Sequence, residues 1–310
     1  MLKHFTMTAL VTATVSAYAG SALAEEKRIS TVLPHLSKFQ KIEFGKRNRD
    51  KSYYTEKALL TGKSAAPAGK LLSWTRTPAS CWSDGQGGTG AYPLGNGSIG
   101  AMVYGGVHTE HIQLNEHSLW SGSDRDCPNL GTYQSLGDLY FETGHMTAEN
   151  YRRVLDCSDA IHRVEYASDG IVYRREYFCS YPDKVMVLRL TSSKKKTLSG
   201  TLRLSDARAV DIPGIETMFE QLVPVSANGN RVAFGGELPN GLEYEAQALI
   251  VNDGGCVVAD NNSLRVQDAD SLMILFSAGT SFLQDHEQGW LGEHPHRKVS
   301  KAIDEASLKS

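Results

Sequence analysis

The chain has 310 residues, 41% of them hydrophobic and 22% charged, with a formal net charge of −3. Those values suit a globular protein with a sizeable core and exclude a disordered or low-complexity chain. The charge is uneven: residues 25–70 hold eleven Lys/Arg against five Asp/Glu (+6), and residues 71–310 hold twenty against thirty (−10). An acidic body argues against nucleic acid as a partner.

The first 24 residues read as a secretory signal peptide. Lys3 and His4 form a polar head, an apolar run extends from Phe5 to Gly20, and Ala22-Leu23-Ala24 supplies small residues for cleavage after Ala24. The run is too short and too rich in Thr and Ser for a comfortable membrane anchor. The mature protein is therefore expected to be exported, to periplasm or extracellular space, with no membrane contact after cleavage. Residues 25–69 read as a basic polar linker. They show no sustained period and end in Ser64-Ala65-Ala66-Pro67-Ala68-Gly69, with Tyr53 to Leu60 a candidate short helix. Five cysteines follow the leader: Cys81, Cys127, Cys157, Cys179 and Cys256. Export permits a disulfide, but the odd count leaves at least one thiol over, and buried free thiols are expected at this size.

Residues 70–292 read as one β domain. Ile161 to Tyr166, the turn Asp169-Gly170 and Ile171 to Phe178 form a hairpin. Lys184 to Thr191 has the Val and Leu content of a strand buried on both faces. Leu198 to Ser205 alternates, as does Leu242 to Asn252, where Tyr244, Ala246, Ala248 and Ile250 oppose Glu243, Glu245 and Gln247. Asn228-Gly229, Asn240-Gly241 and Asp253-Gly254 are turns between strands, and Leu264 to Val266 and Ser271 to Ser277 complete the set. So many short strands without intervening helices predict an all-β sandwich. Residues 293–310 break the pattern: Val299, Ile303 and Ala306 have helical spacing, so a short C-terminal helix is expected there.

Isolated motifs say little about chemistry. Gly95-Asn96-Gly97-Ser98-Ile99-Gly100 matches GxGxxG but is followed by strand and turn residues, so a tight β connection is expected instead of a dinucleotide site. His108 and His111, three apart on a strand, point to opposite faces, which disfavours a metal centre with His117. Glycosidic cleavage needs two carboxylates flanking one bond, and Glu110, Glu116, Asp138 and Glu142 are candidates. No spacing selects a pair, and solvated strand faces are expected for them. Trp74, Trp82, Trp120 and Trp290 could stack on sugars, although core packing is the commoner fate of tryptophan.

Longer stretches are more specific. Tyr92-Pro93-Leu94-Gly95-Asn96-Gly97-Ser98-Ile99-Gly100-Ala101-Met102-Val103-Tyr104-Gly105-Gly106-Val107 resembles the opening of glycoside hydrolase family 95, the α-L-fucosidases and related exo-acting enzymes. The likeness continues through Ile112 to Gly122, Tyr133 to Leu139, Tyr151 to Asp156, Tyr173 to Asp183, Ser277 to Phe282 and His294-Pro295-His296. It departs at His117, where Asp is usual, and in the glycine-rich insert Cys81 to Gly90. The resemblance implies a large antiparallel β-sandwich of the supersandwich type, with a short C-terminal helix leading to an (α/α)6 barrel. Residues 293–310 would open the helical linker. In the family the barrel carries the catalytic acid and the water-activating residues, and none of these maps onto this sequence. The expected role is thus a non-catalytic N-terminal domain, inactive alone, whose intended partner is the barrel. The full-length enzyme would remove terminal α-L-fucose or α-L-galactose from a carbohydrate such as a fucosylated glycan. No catalytic residue, metal ligand or cofactor is assigned. Asn96, Asn115, Glu116 and Trp120 are candidates for a substrate rim or a domain interface. They could instead only fix loop geometry through hydrogen bonds to the backbone. The alternative functions are a free-standing carbohydrate-binding module and a secreted interaction domain.

Overall fold

The computed structural model describes residues 58–79, 90–122, 131–207 and 223–309. The expected signal peptide, most of the expected linker, Cys81, Trp82 and Cys127 lie outside the described residues. In chain order the strands are β1 (Leu59–Thr61), β2 (Leu72–Thr75), β3 (Tyr92–Gly95), β4 (Ile99–Val103), β5 (Thr109–Glu116) and β6 (Gly137–Glu142). Next come β7 (Thr147–Asp156), β8 (Ile161–Ser168), β9 (Ile171–Ser180), β10 (Val185–Ser192) and β11 (Leu198–Asp206). The last are β12 (Val225–Asn228), β13 (Arg231–Glu237), β14 (Glu243–Asp253), β15 (Cys256–Asp260), β16 (Ser263–Ala269) and β17 (Ser271–Thr280), followed by helix α1 (His296–Ser307).

These strands build the all-β sandwich expected from the alternation. A ten-stranded sheet runs β1-β7-β8-β9-β10-β17-β14-β13-β12, with β2 also paired to β7, and a seven-stranded sheet runs β15-β16-β11-β6-β5-β4-β3. All pairings are antiparallel except β1 with β7. The β8–β9 hairpin has the predicted turn. Asp169 (φ 51°) and Gly170 (φ 75°) both take the left-handed conformation that matches the twist of the flanking strands. One feature of the expected linker differs. Leu59 and Leu60, candidates for a short helix, lie in β1, because pairing with Thr147 and Ala148 on the edge of β7 satisfies their backbone in extended form.

The core fills the space between the sheets. Ile99, Ile112, Leu114, Leu139 and Phe141 from one sheet meet Tyr166, Tyr177, Leu188, Ile250, Ile274 and Phe276 from the other. β10 is buried on both faces as its composition predicts, since Val185 and Val187 point away from the core into a second cluster with Leu249, Leu275, Ile303 and Ala306. That cluster is the seat of α1, whose buried residues are Val299, Ile303 and Ala306, the three at helical spacing. The helix therefore covers part of the outer face of the ten-stranded sheet. It also buries Glu245 and Gln247, which alternation alone would leave in water.

The cysteines differ from expectation. Cys157 and Cys256 are exposed and Cys179 is half-buried, and all three are free. Cys157 directly follows β7 and Cys256 begins the edge strand β15, so neither reaches the space between the sheets.

Candidate functional site

The four residues singled out from the sequence lie at one end of the seven-stranded sheet, but they do not share a pocket. Pairing of β4 with β5 sets Gly100 opposite Asn115 and Ile99 opposite Glu116. This brings both beside the β3–β4 turn that contains Asn96, and His117 N–H donates to the Ser98 carbonyl at 3.0 Å. Adjacent residues of a strand face opposite ways, so Asn115 is half-exposed on the outer face while Glu116 points inward.

Asn96 works as a clamp. Its Oδ1 accepts from the N–H groups of Ser98 (3.0 Å) and Ile99 (2.8 Å), and its Nδ2 donates to the Ser180 carbonyl (2.9 Å) at the end of β9. Gly97, with φ 82°, provides the left-handed position that the turn requires. One side chain thus closes the turn and ties the two sheets together.

Glu116 is wholly buried. Its Oε2 accepts from the N–H and Oγ of Ser118, both at 2.7 Å, and its Oε1 lies 2.9 Å from His117 Nδ1. Ser118 Oγ in turn lies 2.6 Å from Thr280 Oγ1 on β17 in the other sheet. Tyr133 donates its hydroxyl to the Glu116 carbonyl at 2.9 Å. Burial and the nearby Glu116 charge raise the Tyr133 phenol above its ordinary range. The carboxylate is engaged by its own loop and holds residues 116–118 in place.

Trp120, which follows this anchored loop, is 45% exposed. It forms a bridge with Tyr133, and Asn240 Nδ2 holds the carbonyls of Trp120 (2.9 Å) and Gly122 (2.8 Å). Beyond the Asn240 turn, Phe282 pairs with Leu291 in a second isolated bridge, and the Phe282 and Trp290 rings are parallel with centroids 6.4 Å apart. Trp120, Tyr133, Phe282 and Leu283 are all exposed. This end can stack or dock a flat apolar surface.

The candidate carboxylates and the tryptophans depart from what the sequence suggests. Of the candidate carboxylates, Glu110, Glu116 and Asp138 are buried. Their partners lie inside the protein: Glu110 meets Arg175 of the other sheet, Glu116 Oε2 meets Ser118, and Asp138 meets His111 Nε2 at 2.7 Å. The strand period could have shown this for two of them, because Glu110 and Glu116 share a face with Ile112 and Leu114. The described tryptophans, Trp74, Trp120 and Trp290, are not core residues either. Trp74 lies on a short edge strand with the Arg76 guanidinium 4.6 Å from its ring, and Trp120 and Trp290 belong to loops at the sandwich end. His108, His111 and His117 have separate partners in Thr109, Asp138 and Glu116.

A polar cluster under the start of α1 was not legible beforehand. His296 Nδ1 lies 2.9 and 3.1 Å from the two Glu245 carboxylate oxygens. Gln247 bonds to Glu245, Arg231 and Ser300, and Arg231 Nη2 reaches Asp304 at 2.6 Å. Its members come from β13, β14 and α1, far apart in sequence.

Residues 74–132 and 125–285 match the family described as "Glycosyl hydrolase family 65, N-terminal domain". "Probable alpha-fucosidase A" of Aspergillus niger is 27% identical over 308 residues, covering 81% of this chain and 37% of that protein. "Alpha-L-fucosidase 2" of Arabidopsis thaliana is 25% identical over 257 residues, covering 66% of this chain and 30% of that protein. The chain thus spans about a third of the length of these curated relatives. Among solved structures, "Putative kojibiose phosphorylase from human microbiome" aligns with a TM-score of 0.39 at 11% identity, over 70% of this chain and 33% of that one.

Proposed function

The chain belongs to the N-terminal domain family of glycosyl hydrolase family 65, and we propose that it is the non-catalytic front domain of an exported, α-L-fucosidase-like hydrolase of the family 95 type. The two relatives carry α-fucosidase names and extend well past the matched region. In this reading the signal peptide at residues 1–24 directs export. The aromatic end of the sandwich faces the catalytic part, where Trp120 and Asn115 line the interface or the rim of the sugar pocket. Asn96 and Glu116 act indirectly, by fixing the turn and loop that present those two side chains. Hydrolysis of terminal α-L-fucose or α-L-galactose on a fucosylated glycan would be the work of the full-length enzyme.

The observation that carries this reading is the exposure of Trp120, Tyr133, Phe282 and Leu283 at one end, with the Trp120 loop anchored by a buried carboxylate. A water-facing end has no need of so many apolar side chains, and a docking surface does. The purified chain should release no nitrophenol from 4-nitrophenyl α-L-fucoside. It should bind an apolar dye and self-associate, and Trp120→Ser with Phe282→Ser should reduce both. Turnover by the chain alone, or a monodisperse monomer without dye binding, would contradict the proposal.

A second reading, a free-standing carbohydrate-binding module, is favoured by the exposed Trp120 indole. It predicts quenching or a shift of tryptophan fluorescence by a fucosylated oligosaccharide, lost in Trp120→Ala.

A further inference from the structure

The outer face of the ten-stranded sheet holds an open groove of about 690 Å³ along β12, β13 and β14, beside the start of α1. None of Asn96, Asn115, Glu116 or Trp120 lines it. Its volume falls in the range of small-molecule sites, far above what a single ion occupies. Ala233 and Gly235 leave the floor nearly bare of side chains, Glu237 and Glu243 stand at one end, and His294 and His296 form a wall.

The lining narrows the ligand class. Glu237 and Glu243 are direct partners across the β13–β14 pair, and their carboxylates make no hydrogen bond or ion pair among the described residues. Two acceptors are thus left facing the groove. Arg231, the lining cation, is committed to Gln247 and Asp304, so a phosphate, sulfate or uronate would meet uncompensated negative charge. No exposed large apolar side chain lines the groove, which disfavours lipid. The described residues contain no group of three His, Cys, Asp or Glu placed to hold a metal ion. The pairing of two carboxylates with two imidazoles favours a hydroxyl-rich ligand. Vicinal hydroxyls donate to carboxylates, and the free edges of imidazoles can either donate or accept. The wall is preorganised, because Glu245 and Gln247 are buried and lock His296, Arg231 and α1 to the sheet.

We infer that this groove is an accessory glycan-binding site that takes a short segment of a neutral oligosaccharide. The inference does not depend on the α-fucosidase reading or on the aromatic end. It is tested by titrating the ¹⁵N-labelled chain with 2′-fucosyllactose, with a neutral cello-oligosaccharide and with spermine, following the amide signals of Ala233, Gly235 and Gly236. A neutral saccharide should shift these signals. Glu243→Gln should weaken binding about tenfold, the loss of one charge-assisted hydrogen bond. Ala233→Phe should abolish binding while the rest of the spectrum stays dispersed, and Trp120→Ala should leave it unchanged. Absence of shifts at tens of millimolar of either saccharide would overturn the inference. So would shifts from spermine alone, which would mark a cation site, or loss of the shifts in Trp120→Ala, which would place binding at the aromatic end.

Discussion

Arg175 on β9 and Glu110 on β5 form an ion pair between the two sheets, with Nη1 3.0 Å from Oε2 and side-chain exposures of 2% and 0%. Neither group has water to fall back on, so the remaining bonds matter. Glu110 also accepts from the Gly105 N–H (2.8 Å), the His111 N–H (3.0 Å) and the Tyr177 hydroxyl. Arg175 donates to the carbonyls of Gly106 (2.6 Å) and Val107 (3.1 Å) and to the Tyr166 hydroxyl (2.9 Å). The pair thereby fixes the Tyr104-Gly105-Gly106-Val107 turn, the end of the longest recognisable motif, against the opposite sheet.

Removing one partner leaves the other charge buried and alone. Arg175→Met should cost about 3–5 kcal/mol of stability. Adding Glu110→Leu should recover part of that loss, since two apolar groups replace the pair, though the Gly106 and Val107 carbonyls lose Arg175 and the Gly105 and His111 N–H groups lose Glu110. Urea midpoints of the two single variants and the double variant check this. Two single-variant losses that simply add would show that the residues do not act as a pair.

Asn96→Ala removes three hydrogen bonds at a buried turn. A loss of about 2 kcal/mol is expected, read as a lower thermal midpoint. Asn96→Asp keeps the two accepted bonds but sets a carboxylate against the Ser180 carbonyl, so it should not rescue stability. If Asn96→Ala melts like the parent, the clamp is not what this residue contributes.

Much of this was legible in the sequence. Period-two alternation located the strands, the Asp169-Gly170 turn located a hairpin, and Val299, Ile303 and Ala306 located the helix, because each of these signals is local. The Gly95-Asn96-Gly97 turn was also local, and its side-chain-to-backbone bonds follow from the chemistry of asparagine. What could not be read was which outer face becomes covered. Glu245 and Gln247 look solvated until α1, some fifty residues later, closes over them. The exposure of Trp120 was hidden for a related reason, since indole burial depends on what packs against a loop.

The free thiols should separate by reactivity. Cys157 and Cys256 are exposed, whereas burial pushes the Cys179 thiol up to about 12. At mildly alkaline pH the first two should take up iodoacetamide rapidly, and Cys179 only slowly or after unfolding, because the thiolate is the reactive form. Peptide mass spectrometry after timed quenching reads this directly. Equal labelling of Cys179 and Cys256 in the native protein would contradict its burial.

Acid should weaken the fold through two histidines. His162 stacks on Tyr177 (centroids 4.9 Å apart), packs edge-on to Tyr92, and is wholly buried. Burial, helped by the Arg153 charge, lowers its pKa from 6.5 to about 3. His145, which bonds to the Tyr166 hydroxyl at 2.8 Å, falls to about 4, through burial first and Arg175 second. In the unfolded chain both would take a proton near pH 6.5, whereas in the folded chain both stay neutral. Below pH 6.5 the unfolded state therefore binds more protons, and stability falls with pH. The contribution is complete above pH 6.5, erodes below it, and is gone once pH reaches about 4 for His145 and about 3 for His162. His162→Phe, which keeps an aromatic ring between Tyr92 and Tyr177 but cannot be protonated, should flatten the acid limb of a stability-against-pH curve without lowering stability at pH 8. A variant curve parallel to the parent between pH 6.5 and 4 would show that protonation of His162 is not what destabilises the fold.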